Sequence, residues 1–215
     1  MSVFVAEELS EVLNTKVVIG RINIGLLNRI IIDDVLLDDQ SGQEMLKVTR
    51  LSAKFDIMPF FKGKISISSV QLFGFNINLR KETPDSPPNF KFVLDAFASK
   101  DTVKKENSLD LRINSILIRR GRMSYHVLSE EETPGKFNAK HIQLQNIIAN
   151  ISLKALSKDS LNLGIKRLSL DEKASGFSLK KMSLKLVANN KQTNIDNFTI
   201  ELPELSQARY HSFGV

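Results

Sequence analysis

The residues that could do chemistry are few, and their spacing argues against most of it. His126, His141 and His211 are the only histidines. They stand far apart in the chain, and His126 and His141 each fall in a strand-like pattern, so each reads as a structural or surface side chain. Two histidines meeting in space with one acid would suffice to hold a metal ion. Nothing in the spacing announces such a meeting, and neither a metal nor a cofactor is expected. Among the tight carboxylate pairs, Asp33–Asp34 and Asp38–Asp39 are the adjacent aspartates. Neighbours on a strand point to opposite faces, whereas a glycosidase needs two carboxylates facing one cleft about 5 to 9 Å apart. These acids read instead as strand-edge solubilisers and as turn formers ahead of Gly42. The chain has no P-loop, dinucleotide fingerprint, HExxH, EF-hand loop or nucleophile elbow. No catalytic residue is expected, and the chain reads as non-enzymatic.

Charge narrows the classes further. Thirty Lys and Arg stand against 24 Asp and Glu, a net charge of +6 that is spread along the chain. Arg119, Arg120 and Arg122 form a cationic run within it. A solvated face is the plain reading of that run, and contact with anionic lipid headgroups is the alternative. No zinc-finger spacing, RRM signature or basic helix accompanies the charge, so no nucleic-acid partner is expected. The aromatic content is almost all phenylalanine, 13 Phe with 2 Tyr and no Trp. Cysteine is absent, which excludes disulfides and thiolate metal sites. No stretch approaches the roughly 20 apolar residues needed to cross a bilayer. Glu7, Glu8 and Glu11 interrupt the N-terminal region where a signal peptide would be apolar, so the sequence reads as a cytoplasmic protein or as a piece of a longer one.

These side chains need elements to position them, and the apolar periods supply the elements. Val3, Phe4, Ala6, Leu9, Val12 and Leu13 recur at helical spacing, which predicts a short helix over Ser2 to Leu13 serving as a lid on a sheet end. From Lys16 the period changes to two. Leu51, Ala53, Phe55 and Ile57 alternate with Ser52, Lys54 and Asp56, the pattern of a strand with one dry face. Phe73, Phe75, Ile77 and Leu79 repeat it, with Gly74 marking a bulge or a close neighbour. The region 81–108 reads as a Pro-rich linker with a helix over Asn89 to Phe97. It separates a first β unit with its helix (1–80) from a second (109–215). Leu109 to Val127 echoes Lys64 to Leu79 as a degenerate repeat. Leu161, Leu163 and Ile165 alternate again near the end. So many strands with almost no helix between them predict mostly antiparallel pairing, with a sandwich or barrel as the default closure.

The order of motifs resembles the AsmA-like and TamB family of bacterial envelope proteins. The likeness runs through "LNTKVVIGRINIGLLNRIIIDDVLLDDQSGQEMLKVTRLSAKFDI", "FKGKISISSVQLFGFNINLRK", "NFKFVLDAF", "LRINSILIRRGRMSYHV", "GKFNAKHIQLQNIIANI" and "SGFSLKKMSLKLVANN". It implies a mainly β chain: an elongated, curved antiparallel sheet, a β-taco with a repeating apolar groove and two short helices. It further implies part of a periplasmic scaffold, anchored in the inner membrane by its full-length protein. Such a scaffold moves phospholipid between membranes or supports outer-membrane assembly. The partners implied are phospholipid acyl chains and an Omp85-type barrel, the latter through a region outside this chain. Groove-lining candidates are Leu51, Ala53, Phe55, Ile57, Phe73, Phe75, Ile77, Leu79, Leu161, Leu163 and Ile165, with Arg119, Arg120 and Arg122 as headgroup contacts. The alternative is a closed β-sandwich, a structural or protein-interaction module in which the same side chains fill a core.

Overall fold

The computed structural model describes residues 2–25, 28–55, 67–98, 113–157 and 160–203. Among the described residues, two helices and nine strands follow one another as α1 (Ser2–Leu13), β1 (Val17–Gly25), β2 (Arg29–Asp38), β3 (Glu44–Phe55), β4 (Ile67–Lys81), α2 (Lys91–Ala98), β5 (Ile113–Val127), β6 (His141–Ser157), β7 (Ser160–Glu172), β8 (Ser178–Asn189) and β9 (Thr193–Glu201). All nine strands belong to one sheet, ordered β1 to β9 as in the chain. The segments expected as two β units therefore share a single sheet. Their junction is the β4–β5 pair, which is parallel. A parallel pair needs a long crossover, and the connection over 82–112, which contains α2, is long enough to make one. The β4 residues that pair with β5 each meet the residue 46 positions further on, from Ser69 with Ser115 to Lys81 with Val127. The echo between the two segments is thus two neighbouring strands lying side by side. Strand β4 runs unbroken from Ile67 to Lys81.

The expectation of a curved β-taco is not met, and neither is its closed alternative. Among the described residues each strand touches no strand but its ladder neighbours, so the sheet is neither curled nor closed into a sandwich or barrel. Alternating apolar residues demand a dry face, but a period of two is the same in a flat sheet and a rolled one. The architecture is a mostly β domain with two short helices. Helix α1 packs on β1, and α2 touches α1. No helix among the described residues is long and apolar enough to cross a membrane.

One transverse step organises the sheet. Ile22, Ile32, Leu51, Leu72, Ile118, Ala149, Leu168, Met182 and Ile200 are successive ladder partners, an unbroken apolar row across all nine strands. Below it lies a second row, in which Ile19, Val35, Val48 and Phe75 pair in turn. The two rows share a face, since Leu51, Leu72 and Ile118 pack against the core of Val48, Phe75 and Ile147. Yet along each strand they are three residues apart, as in Ile19 and Ile22 or Phe75 and Leu72. Regular alternation would send residues three apart to opposite faces. On β2 and β4 a left-handed residue inside the interval restores the face, as in a β-bulge: Asp34 (φ 56°) between Ile32 and Val35, and Gly74 (φ 63°) between Leu72 and Phe75. Arg120 (φ 56°) on β5 and Asn146 (φ 54°) on β6 adopt the same conformation nearby. Close packing accompanies the step. A β-carbon on Gly20 would stand 2.9 Å from that of Asp34, and one on Gly74 would stand 2.7 Å from Thr49 Oγ1.

Candidate functional site

The residues skipped by the apolar face form a polar band on the step. Arg21, Asp33, Arg50, Phe73 and Arg119 are successive ladder partners there. Arg50 binds the buried Asp33 through two nitrogens, Nε to Oδ1 at 2.6 Å and Nη2 to Oδ2 at 3.2 Å. This hydrogen bond lowers the Asp33 pKa, with the positive charges of Arg50 and Arg21 adding to it and burial opposing. The Arg120 guanidinium lies over the Phe73 ring, 5.1 Å from its centroid, within cation–π range.

Beside that stack, Lys47, Arg120 and Arg122 line a depression of about 420 Å³ together with Thr49, Asn76 and Asn146. None of the three cations is ion-paired among the described residues. Arg119 and Arg120 also border a second hollow of about 490 Å³ that reaches Arg167. The structure thus brings Arg120 and Arg122 together with Lys47, a cation that no run in the sequence singles out. The pairing is tertiary: Lys47 reaches Arg122 through Asn76, its ladder partner on β4.

The groove-lining candidates do not form one strip. Leu51 and Ala53 face Leu72 and Val70, and Phe75 is buried against Val48. Ile77 joins Leu46 and Met123, while Leu79 pairs with Tyr125. Phe73 falls on the polar band beside Arg50 and is exposed, because the left-handed Gly74 separates it from Phe75. Leu161, Leu163 and Ile165 lie on β7, four strands away from β3, with Leu163 and Ile165 paired to Leu186 and Leu184. The Phe55 side chain and Ile57 lie outside the described residues, as does His211. Since the sheet neither rolls into a groove nor closes over a core, phospholipid movement through an apolar groove lacks its architecture. A closed sandwich acting as an interaction module lacks its architecture as well.

Buried polar groups gather at one end of the sheet. Asp39, the most buried carboxylate among the described residues, sits in the β2–β3 turn. Its Oδ1 accepts hydrogen bonds from the Ser41 amide at 3.0 Å, the Ser41 hydroxyl at 2.7 Å and the Gln43 amide at 3.1 Å. Its Oδ2 meets Arg80 Nη2 at 2.6 Å and Asn89 Nδ2 at 3.1 Å. Burial alone would raise its pKa, but the bonds from Ser41, Asn89 and Gln43 outweigh it and the net shift is downward. Glu172 repeats the arrangement at the end of β7, where the β7–β8 turn begins. It accepts from the amides of Gln143, Ala174 and Ser175, and its pKa is lowered against the same burial penalty. The turn role expected of Asp39 is present, but as a buried anchor and not as a solvated acid. At the same end His126 and His141 are ladder partners, a meeting the sequence did not announce.

Neither a protein-family model nor a curated protein sequence matches this chain.

Proposed function

We propose that this chain is a non-catalytic β-scaffold segment whose sheet is extended by a further strand added along β9. The observation that carries this reading is the state of that edge. All nine residues of β9 are exposed, including Ile195, Phe198 and Ile200, and among the described residues β9 pairs only with β8. Its sequence, TNIDNFTIE, contains none of the Lys, Arg or Pro residues that commonly protect an edge. The opposite edge differs, since β1 carries α1. The nine-membered apolar row also runs out at Ile200, on the open edge. An added strand would satisfy the outward backbone groups and prolong that row. The resemblance to the AsmA-like and TamB family supports the reading from the sequence side. It would place the segment in the periplasm, within a longer protein held in the inner membrane.

Hydrogen exchange on the full-length protein tests the proposal. In a paired edge, amides of β9 that point away from β8 are protected along with those that point toward it. Outward amides that exchange as freely as those of an unstructured peptide would sink the reading.

A second reading rests on three cations of the step that form no ion pair among the described residues. Lys47, Arg120 and Arg122 around one depression suit an anionic group such as a phosphate diester. Sedimentation with phosphatidylglycerol vesicles, set against phosphatidylcholine alone, checks it. Binding should require the anionic lipid, weaken at high salt and fall in Arg120→Ala and Arg122→Ala. Equal binding to both vesicles would exclude this role.

A further inference from the structure

His126 closes β5 and His141 opens β6, and the two are paired across the ladder. Their Nδ1 atoms lie 3.0 Å apart. His141 is buried, and its Nε2 is 2.9 Å from the carbonyl oxygen of Glu130. A carbonyl only accepts, so Nε2 carries the proton and donates. In the neutral imidazole, Nδ1 of His141 is then a bare lone pair. It points at the Nδ1 of His126, and Glu132 Oε1 stands 3.8 Å from that same atom. All three donor atoms lie within 4.8 Å of one another.

This is the arrangement a first-row divalent ion requires. Bonds of about 2.0–2.1 Å to nitrogen and oxygen put the ligand atoms of a tetrahedral ion roughly 3.3 Å apart. The two imidazoles already approach that spacing, and Glu132 closes the triangle with a small movement of its exposed side chain. The hydrogen bond from His141 to a backbone carbonyl fixes its tautomer and ring orientation, as outer-shell partners do at metal sites. The frame around it is braced. The Val127 amide donates to the Lys140 carbonyl at 2.9 Å, the His141 amide donates to that of Asn138 at 3.0 Å, and Lys140 pairs with Glu130 at 2.7 Å. A hollow of about 280 Å³ opens beside His141 and Glu132, with room for water as a fourth ligand.

We propose that His126, His141 and Glu132 bind a zinc ion, with water in the fourth position. The ion clamps the connection between β5 and β6 to the end of the sheet. Two imidazoles and one carboxylate suit zinc, and no thiolate is needed.

Metal-free full-length protein is titrated with Zn²⁺ by calorimetry and with Co²⁺ by visible absorption. The expected result is one equivalent of each, with the intense bands of tetrahedral Co²⁺ and a rise in Tm on adding zinc. His126→Gln should lower zinc affinity at least tenfold and remove the rise in Tm, and Glu132→Gln should weaken binding while leaving the strand signal in circular dichroism unchanged. Both substitutions lie at side chains that are not fully buried, so folded variants are available for the comparison. Absence of binding at micromolar zinc overturns the proposal. So does affinity that is unchanged in either variant.

Discussion

The ring of Phe75 lies over Gly121 so closely that a β-carbon on the glycine would stand 2.3 Å from its Cζ atom and 3.0 Å from the β-carbon of Ile147. Gly121, the ladder partner of Ile147, has no side chain, and Phe75 fills the space from the neighbouring strand. The core of the sheet depends on that exchange of volume between β4 and β5.

Gly121→Ala should therefore destabilise the fold by about 1–3 kcal/mol through overpacking. Urea denaturation would show a lower midpoint at unchanged slope. Combined with Phe75→Leu, the loss should be smaller than the sum of the two single losses, because the shorter side chain vacates the contested space. Strict additivity would mean that the ring and the glycine are not in contact.

Phe73 and Phe75 should respond differently to truncation, although simple alternation gives them the same face. Phe75 is 6% exposed within the apolar core, whereas Phe73 is 38% exposed on the polar band. Phe75→Ala should cost about 3 kcal/mol, the lower end of the range for a buried phenylalanine. Phe73→Ala should cost about 1 kcal/mol or less, mostly the lost stack with Arg120. Equal losses would place both rings on one face and remove the step.

Arg80→Met leaves Asp39 buried without its guanidinium partner. Breaking a buried ion pair from one side costs about 3–5 kcal/mol. The bonds from Ser41, Gln43 and Asn89 remain, so the expected loss lies near 3 kcal/mol. Arg50→Met should cost less, because Arg50 is more than half exposed and its pair with Asp33 is partly screened. Chemical denaturation of the two variants, side by side, gives the order.

Acid should weaken the protein through four carboxylates. Asp33, Asp39, Asp171 and Glu172 all have lowered pKa values, and for Asp171 the cause is hydrogen bonding from Asn146 and Ser178. A lowered folded pKa means that the unfolded chain takes up protons first. The stabilisation is complete above the ordinary values, 3.8 for Asp and 4.5 for Glu, and is lost as pH falls through them toward the lower folded values. Thermal denaturation across this window should show Tm dropping with pH, and the drop should be shallower in Arg50→Met. A Tm independent of pH below 4.5 would contradict the assignment of these bonds.

Much of the local structure was legible in the residues. The helical period over Ser2 to Leu13 corresponds to α1, and the alternation of Leu51, Ala53 and Phe55 lies within β3. The linker helix, expected over Asn89 to Phe97, begins two residues later at Lys91. Gly74 was marked as an irregular point because glycine accepts what other residues resist. Asp34, Arg120 and Asn146 take the same left-handed conformation, but only Asp and Asn carry even a weak preference for it, and arginine carries none.

The amino-acid sequence by itself determined the one-sided strands and both helices, because these follow from contacts between residues two to four positions apart. Only the tertiary structure decided how far the sheet curves, where its apolar face steps, and which side chains meet. The parallel pairing of β4 with β5 joins residues 46 positions apart, and no short-range period records it. Lys47 gathers with Arg120 and Arg122, and His126 with His141, only once that ladder has set the strand order. The reason is geometric. Alternation fixes the face of a side chain relative to its own strand, whereas a site is made between strands, at a height that hydrogen-bond register alone assigns.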